Sequence, residues 1–80
     1  MTHEEIKDRL TEVFREVFDD DSLTISDETT ARDVPDWDSI MHITLVVAVE
    51  QRFRVRFTTR EVSDLPNVGA LIALIGRKAV

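Results

Sequence analysis

Asp36-Trp37-Asp38-Ser39-Ile40-Met41-His42-Ile43-Thr44-Leu45-Val46-Val47-Ala48-Val49-Glu50-Gln51-Arg52-Phe53 joins an acidic, turn-prone loop to a long run of helix-forming apolar residues. Asp38 suits the N-cap, where a carboxylate accepts a hydrogen bond from a backbone N–H one turn in. Ser39 then opens the helix with its hydroxyl free and near the surface. A helix start carries unpaired N–H groups and a partial positive charge. Such a place favours a phosphate, including one covalently attached to a serine. On this dipeptide alone, two ordinary capping residues are the plainer reading.

The helix that follows is expected from Ser39 to about Arg52. At about 100° per residue, Leu45, Val46, Val49 and Phe53 form one stripe, assigned to the core. His42 falls in the same sector, so it reads as a partly buried, hydrogen-bonded side chain rather than a ligand or proton shuttle. With no cysteine in the chain and no third chemical partner nearby, a triad is not supported. Ile40, Ile43 and Val47 form a second stripe on another side. Apolar residues on two sides of one helix mean either burial all round or an exposed docking patch.

Asp38, Ser39 and Ile40, followed by Leu45, Glu50 and Phe53, resemble the modification motif of acyl and peptidyl carrier proteins, where Asp-Ser-Leu opens the second helix. The likeness covers nearly the whole chain. It implies a small all-α four-helix bundle with three longer helices, a short third one and a long first loop. It implies 4′-phosphopantetheine attached to Ser39 by a phosphopantetheinyl transferase, with Asp38 capping the helix and aiding transferase recognition. The attached thiol would then hold an acyl group as a thioester. Partners implied are an acyl- or aminoacyl-loading enzyme and a downstream synthase or transferase. Ile40, Ile43 and Val47 would form the docking surface, and Val46, Phe57 and Val62 would contact a sheltered acyl chain. Relatives commonly carry carboxylates where this chain has Met41 and Thr44, which points to a more apolar contact and a specialised lipid, polyketide or secondary-metabolite pathway. Relatives also usually place a glycine at the position of Asp36. An aminoacyl or peptidyl carrier is the alternative, and an unmodified helical interaction module a second one. Neither reading makes the chain an enzyme, and no base or oxyanion hole is evident for a serine hydrolase.

Upstream, Thr2 with Glu5 is a capping-box pattern that predicts a helix from near residue 3 to Phe18 or Asp19. Ile6, Leu10, Val13, Phe14, Val17 and Phe18 mark its buried face. Asp19-Asp20-Asp21 opens a loop of about twenty residues, long for a compact domain. It is not an EF-hand: with Asp19 first, Leu23, Thr24 and Thr30 fall where an oxygen ligand, glycine and glutamate are needed. Leu23, Ile25, Ala31 and Val34 are expected to anchor the loop. Pro35 keeps Val34 extended, and Trp37 is read as covering the loop–helix junction in preference to touching a substrate.

Downstream, residues 52–57 alternate polar and apolar as a strand would. A lone strand leaves its backbone unpaired, so this is read as a helix end and extended link with Val55 and Phe57 inward. Arg52, Arg54, Arg56 and Arg60 read as a solvated face, with recognition as the rival. Thr58 with Glu61 predicts a helix of one or two turns ending before Pro66. Asn67 caps the last helix, whose core face is Val68, Leu71, Ile72 and Ile75, with Gly76 as its expected stop.

Residues 1–38 hold thirteen acids and four bases, residues 39–80 three acids and six bases, giving the net charge of −6. That balance argues against nucleic acid and anionic membranes. No apolar stretch approaches the roughly 20 residues of a membrane span, and the charged start shows no secretory signal. A single domain over 1–80, monomeric and cytoplasmic, without a protein metal site, is expected.

Overall fold

The structure, a computed structural model, describes residues 1–79. Helix α1 spans His3–Val17, α2 Ser39–Phe53, α3 Thr59–Ser63 and α4 Val68–Lys78, and no strand occurs among the described residues. The expected all-α four-helix bundle is therefore observed.

Each helix begins where an N-cap side chain accepts from the backbone N–H of the helix's third residue. Thr2 Oγ1 accepts from Glu5 N–H at 3.1 Å while Glu5 Oε1 accepts from Thr2 N–H at 3.0 Å. The same reciprocal pair opens α3, between Thr58 and Glu61. Helix α2 ends in a left-handed residue, Arg54 at φ 56°, and Val55 N–H reaches back to Glu50 O at 3.1 Å. This is a Schellman-type closure. It explains the polar–apolar alternation of 52–57: the chain leaves the helix and turns Val55 into the core.

Helix α1 packs against both α2 and α4. Its Ile6, Leu10, Val13 and Phe14 are buried with Leu45, Val49 and Phe53 of α2 and Val68, Leu71, Ile72 and Ile75 of α4. Val17 and Phe18 are only half-buried against this core. Helix α3 contributes no buried residue.

The long first loop is tied down by the start of α4. Val68 N–H donates to Thr29 O and Gly69 N–H to Asp27 O, both at 2.8 Å, and Ala70 N–H donates to Asn67 Oδ1 at 2.9 Å. The first three donors of α4 are thus all paired. A Cβ at position 69 would lie 2.9 Å from Asp27 O, so only glycine admits this approach.

Two expectations need correcting. Ala31 does not anchor the loop: it is exposed, and Ile25 and Val34 are the buried anchors, with Leu23 half-buried. A single methyl has too little apolar area to hold a loop down. Gly76 does not stop α4, which continues to Lys78 and closes through Ala79 N–H to Ile75 O at 2.8 Å. No glycine has a positive φ; Gly76 instead lies against Ile6 of α1, where a Cβ would be 3.6 Å from Ile6 Cδ1.

Candidate functional site

The approach to Ser39 is a sharp turn. Asp36 sits at φ 71°, the left-handed region where a side chain is strained. Trp37 N–H donates to Val34 O at 3.3 Å and Asp38 N–H to Asp36 O at 2.9 Å. A glycine would occupy position 36 without strain, which is the physical content of the departure noted in the sequence.

Asp38 then caps α2 in extended geometry, φ −104° and ψ −171°, with Oδ1 accepting from Met41 N–H at 2.9 Å. Ser39 is the first helical residue and is exposed. Among the described residues its Oγ makes no hydrogen bond, and the N–H groups of Ser39 and Ile40 have no protein acceptor. This is the reverse of α4, whose first donors are consumed by the loop. The mouth of α2 therefore offers a free hydroxyl beside two free donors at the positive end of a helix dipole. A phosphodiester on Ser39 Oγ would be electrostatically favoured there.

Beside Ser39 lies an open groove of about 900 Å³, bounded by α2, α3, the start of α4 and the first loop. Trp37, Ile43, Val62, Leu65 and Leu71 are among its apolar lining. Of the three residues expected against a sheltered acyl chain, Val62 is on this wall. Val46 and Phe57 are half-buried and not on it.

Trp37 and His42 brace the groove. The indole meets Phe14 edge-on at 5.3 Å between centroids, and Phe18 lies 6.2 Å away. Its Nε1–H donates to His42 Nδ1 at 3.1 Å, and His42 Nε2 lies 3.0 Å from Val62 O. Because Nδ1 accepts, the imidazole proton is assigned to Nε2, which donates to the Val62 carbonyl. His42 thus ties the α2 start to α3, and both ring nitrogens are engaged. Sequence reasoning placed His42 as hydrogen-bonded and Trp37 at the junction, but neither partner. The spacing of five residues across a helix start was the one available signal.

Ile40, Ile43 and Val47 are 74%, 65% and 46% exposed. Burial all round is thereby excluded: α2 carries one buried stripe and one open one. Arg52 departs from the solvated-face reading. Its guanidinium bridges Glu12 and Glu16 of α1, each at 2.9 Å, and the Glu12 hydrogen bond leads the causes that raise its pKa above the ordinary value. Arg54, Arg56 and Arg60 are exposed. No cluster of three or more His, Asp or Glu able to hold a metal occurs among the described residues.

Comparison with known proteins gives a concordant result. Residues 8–75 match the family model described as "Phosphopantetheine attachment site". An acyl carrier protein of Acidothermus cellulolyticus is 32% identical over 80 residues, spanning 100% of this chain and 95% of that protein. The solution NMR structure of a holo acyl carrier protein from Geobacter metallireducens superposes with a TM-score of 0.83 at 44% identity, covering 89% of this chain and 82% of that one.

Proposed function

The chain belongs to the phosphopantetheine-binding carrier proteins, which are carriers and not enzymes, and from that premise we propose that Ser39 bears the arm and presents an acyl thioester to partner enzymes. The observation that carries this reading is the free Ser39 hydroxyl at a helix mouth whose first donors are unclaimed. In the attachment reaction, a transferase with Mg²⁺ in its own site would activate Ser39 Oγ towards the phosphorus of coenzyme A that carries the pantetheine arm. The Oγ–P bond forms, the bond to adenosine 3′,5′-bisphosphate breaks, and the hydroxyl proton passes to a base of the transferase. When bound, the arm supplies the terminal thiol that this cysteine-free chain lacks.

The chain's own residues do three things. Asp38 fixes the helix start and keeps Ser39 outward for the transferase. Ile40, Ile43 and Val47 offer a contact surface to the loading enzyme and to the downstream synthase or transferase. Val62, with its neighbours on the groove, offers apolar shelter beside the attachment point; Val46 and Phe57 are half-buried away from that wall. An acyl rather than aminoacyl cargo is favoured by the named relatives. The first turn of α2 has no acidic residue, which favours a specialised lipid, polyketide or secondary-metabolite pathway. No helix among the described residues is long and apolar enough to cross a membrane; we place the carrier in the cytoplasm, as a monomer.

Incubation with a competent phosphopantetheinyl transferase, Mg²⁺ and coenzyme A tests the proposal by intact mass. One phosphopantetheinyl group should be gained. An unchanged mass would favour the unmodified interaction module instead.

A further inference from the structure

The open stripe of α2 does not end at Val47. It runs into a surface hollow of about 610 Å³ lined by Val47, Glu50, Gln51, Arg54, Val55 and Arg56. The charge of this end is set by which groups are already engaged. Glu50 is the one carboxylate of α2, and its Oε2 accepts from Phe57 N–H at 2.9 Å. Arg52 is taken up by Glu12 and Glu16. Arg54 and Arg56 have no ion-pair partner among the described residues, although the chain as a whole carries a net charge of −6. Most of the chain's bases are likewise in no ion pair among the described residues, Arg52 and Lys78 being the ones engaged; what sets Arg54 and Arg56 apart is that they are exposed at the end of the open apolar row, in the hollow that Val47 also lines.

The opposite end of the same face has the opposite sign. Asp36 and Asp38 are exposed beside Ser39. The 15 residues of α2 separate the two ends by about 22 Å at roughly 1.5 Å per residue. We propose that this face docks a protein partner whose apolar groove ends in carboxylates, and that those carboxylates seat against Arg54 and Arg56. The sign change along the face fixes the direction of docking. With its carboxylates at the far end, the partner brings its reactive centre over Ser39. Exposed charges of this kind steer encounter and fix register more than they add affinity.

The identity of the partner as a loading enzyme rests on the carrier reading, but the docking face does not. Two purified acyl-loading enzymes serve as probes, one with a carboxylate-rich rim around its carrier-facing groove and one with a lysine- and arginine-rich rim. Binding of the unmodified chain to each is titrated calorimetrically, and loading of the arm-bearing chain is followed separately. The acid-rimmed enzyme should bind on the order of tenfold more tightly, with the ratio narrowing as salt is raised. The Arg54→Glu/Arg56→Glu variant should invert the preference, and Arg54→Gln/Arg56→Gln should abolish it without inversion. Arg9→Glu, on α1, should leave it unchanged. Circular dichroism confirms that each variant is folded. Preference for the base-rimmed enzyme, or a ratio unmoved by both double variants, would overturn the proposal. A chain that acquires no arm would defeat the carrier reading alone, because binding of the unmodified protein still decides the docking face.

Discussion

At the scale of single residues, the site is built on a strained turn. Asp36 at φ 71° pays a left-handed penalty of about 1–2 kcal/mol, and a β-branched side chain would pay more. Asp36→Val should therefore lower stability by about 1–2 kcal/mol, while Asp36→Gly should stay within about 0.5 kcal/mol because relief of strain offsets glycine's entropy. Denaturant titration distinguishes them; equal stability of the two variants would contradict the assigned turn. His42→Phe keeps a ring of similar size but removes both hydrogen bonds, leaving Trp37 Nε1–H and Val62 O to water. A loss of about 1 kcal/mol and a red shift of the Trp37 emission are expected. Unchanged emission would mean the indole is not held by His42. The Asp38–Ser39 cap was legible in the sequence because a cap is made within one turn of the chain. The Trp37–His42–Val62 bridge was not, since Val62 lies twenty residues beyond His42 and comes near only when α3 folds back.

At the scale of elements, α2 carries two apolar stripes with different duties. Leu45 is fully buried, so Leu45→Ala should cost about 2–5 kcal/mol. Ile43→Ser and Val47→Glu, on the open stripe, should each change stability by no more than about 0.5 kcal/mol. Val47→Glu should nevertheless slow loading by the cognate enzyme, and unaltered loading kinetics would place the contact elsewhere. Periodicity separated the stripes in the sequence and assigned the one through Leu45, Val49 and Phe53 to the core, but only packing could show that the second faced out. Helix α3 is held at its edges. The backbone N–H of Thr58, then Lys78 and the Thr58 hydroxyl, keep Glu61 below its ordinary pKa. A depressed carboxylate stabilises the fold above its unfolded-state pKa, and that contribution is lost as pH falls through the folded value. Glu5 is depressed in the same sense, chiefly by the Thr2 backbone N–H. Both capping boxes should hold at neutral pH and loosen in acid, seen as backbone chemical shifts of Thr58 and Thr2 moving below the ordinary glutamate range. Titration at that ordinary value would contradict the pairing. Gly76 shows the limit of punctuation rules: it keeps helical geometry inside α4, and a Cβ there would make only ordinary contact with Ile6.

At the scale of the molecule, one small core is shared by three helices while the long loop is held through backbone bonds to α4. Gly69→Ala would force a Cβ into Asp27 O, detaching residues 27–29 from α4. Lower thermal stability and faster proteolysis of the loop should follow; a wild-type cleavage pattern would mean the loop is held elsewhere. The fold class, the four helices and the attachment motif were readable because each rests on local pattern. The apolar loop anchors Ile25 and Val34 were readable as well, but the backbone tie to α4 was not, because Thr29 and Asp27 offer only carbonyls, which sequence does not distinguish. The proposed attachment point is one exposed hydroxyl, that of Ser39, and tandem mass spectrometry of the transferase-treated protein tests it most directly. The phosphopantetheinyl group should map to Ser39 and be lost in Ser39→Ala; a group mapping to Ser22, Ser26 or Ser63, or a mass gain persisting in Ser39→Ala, would contradict the account.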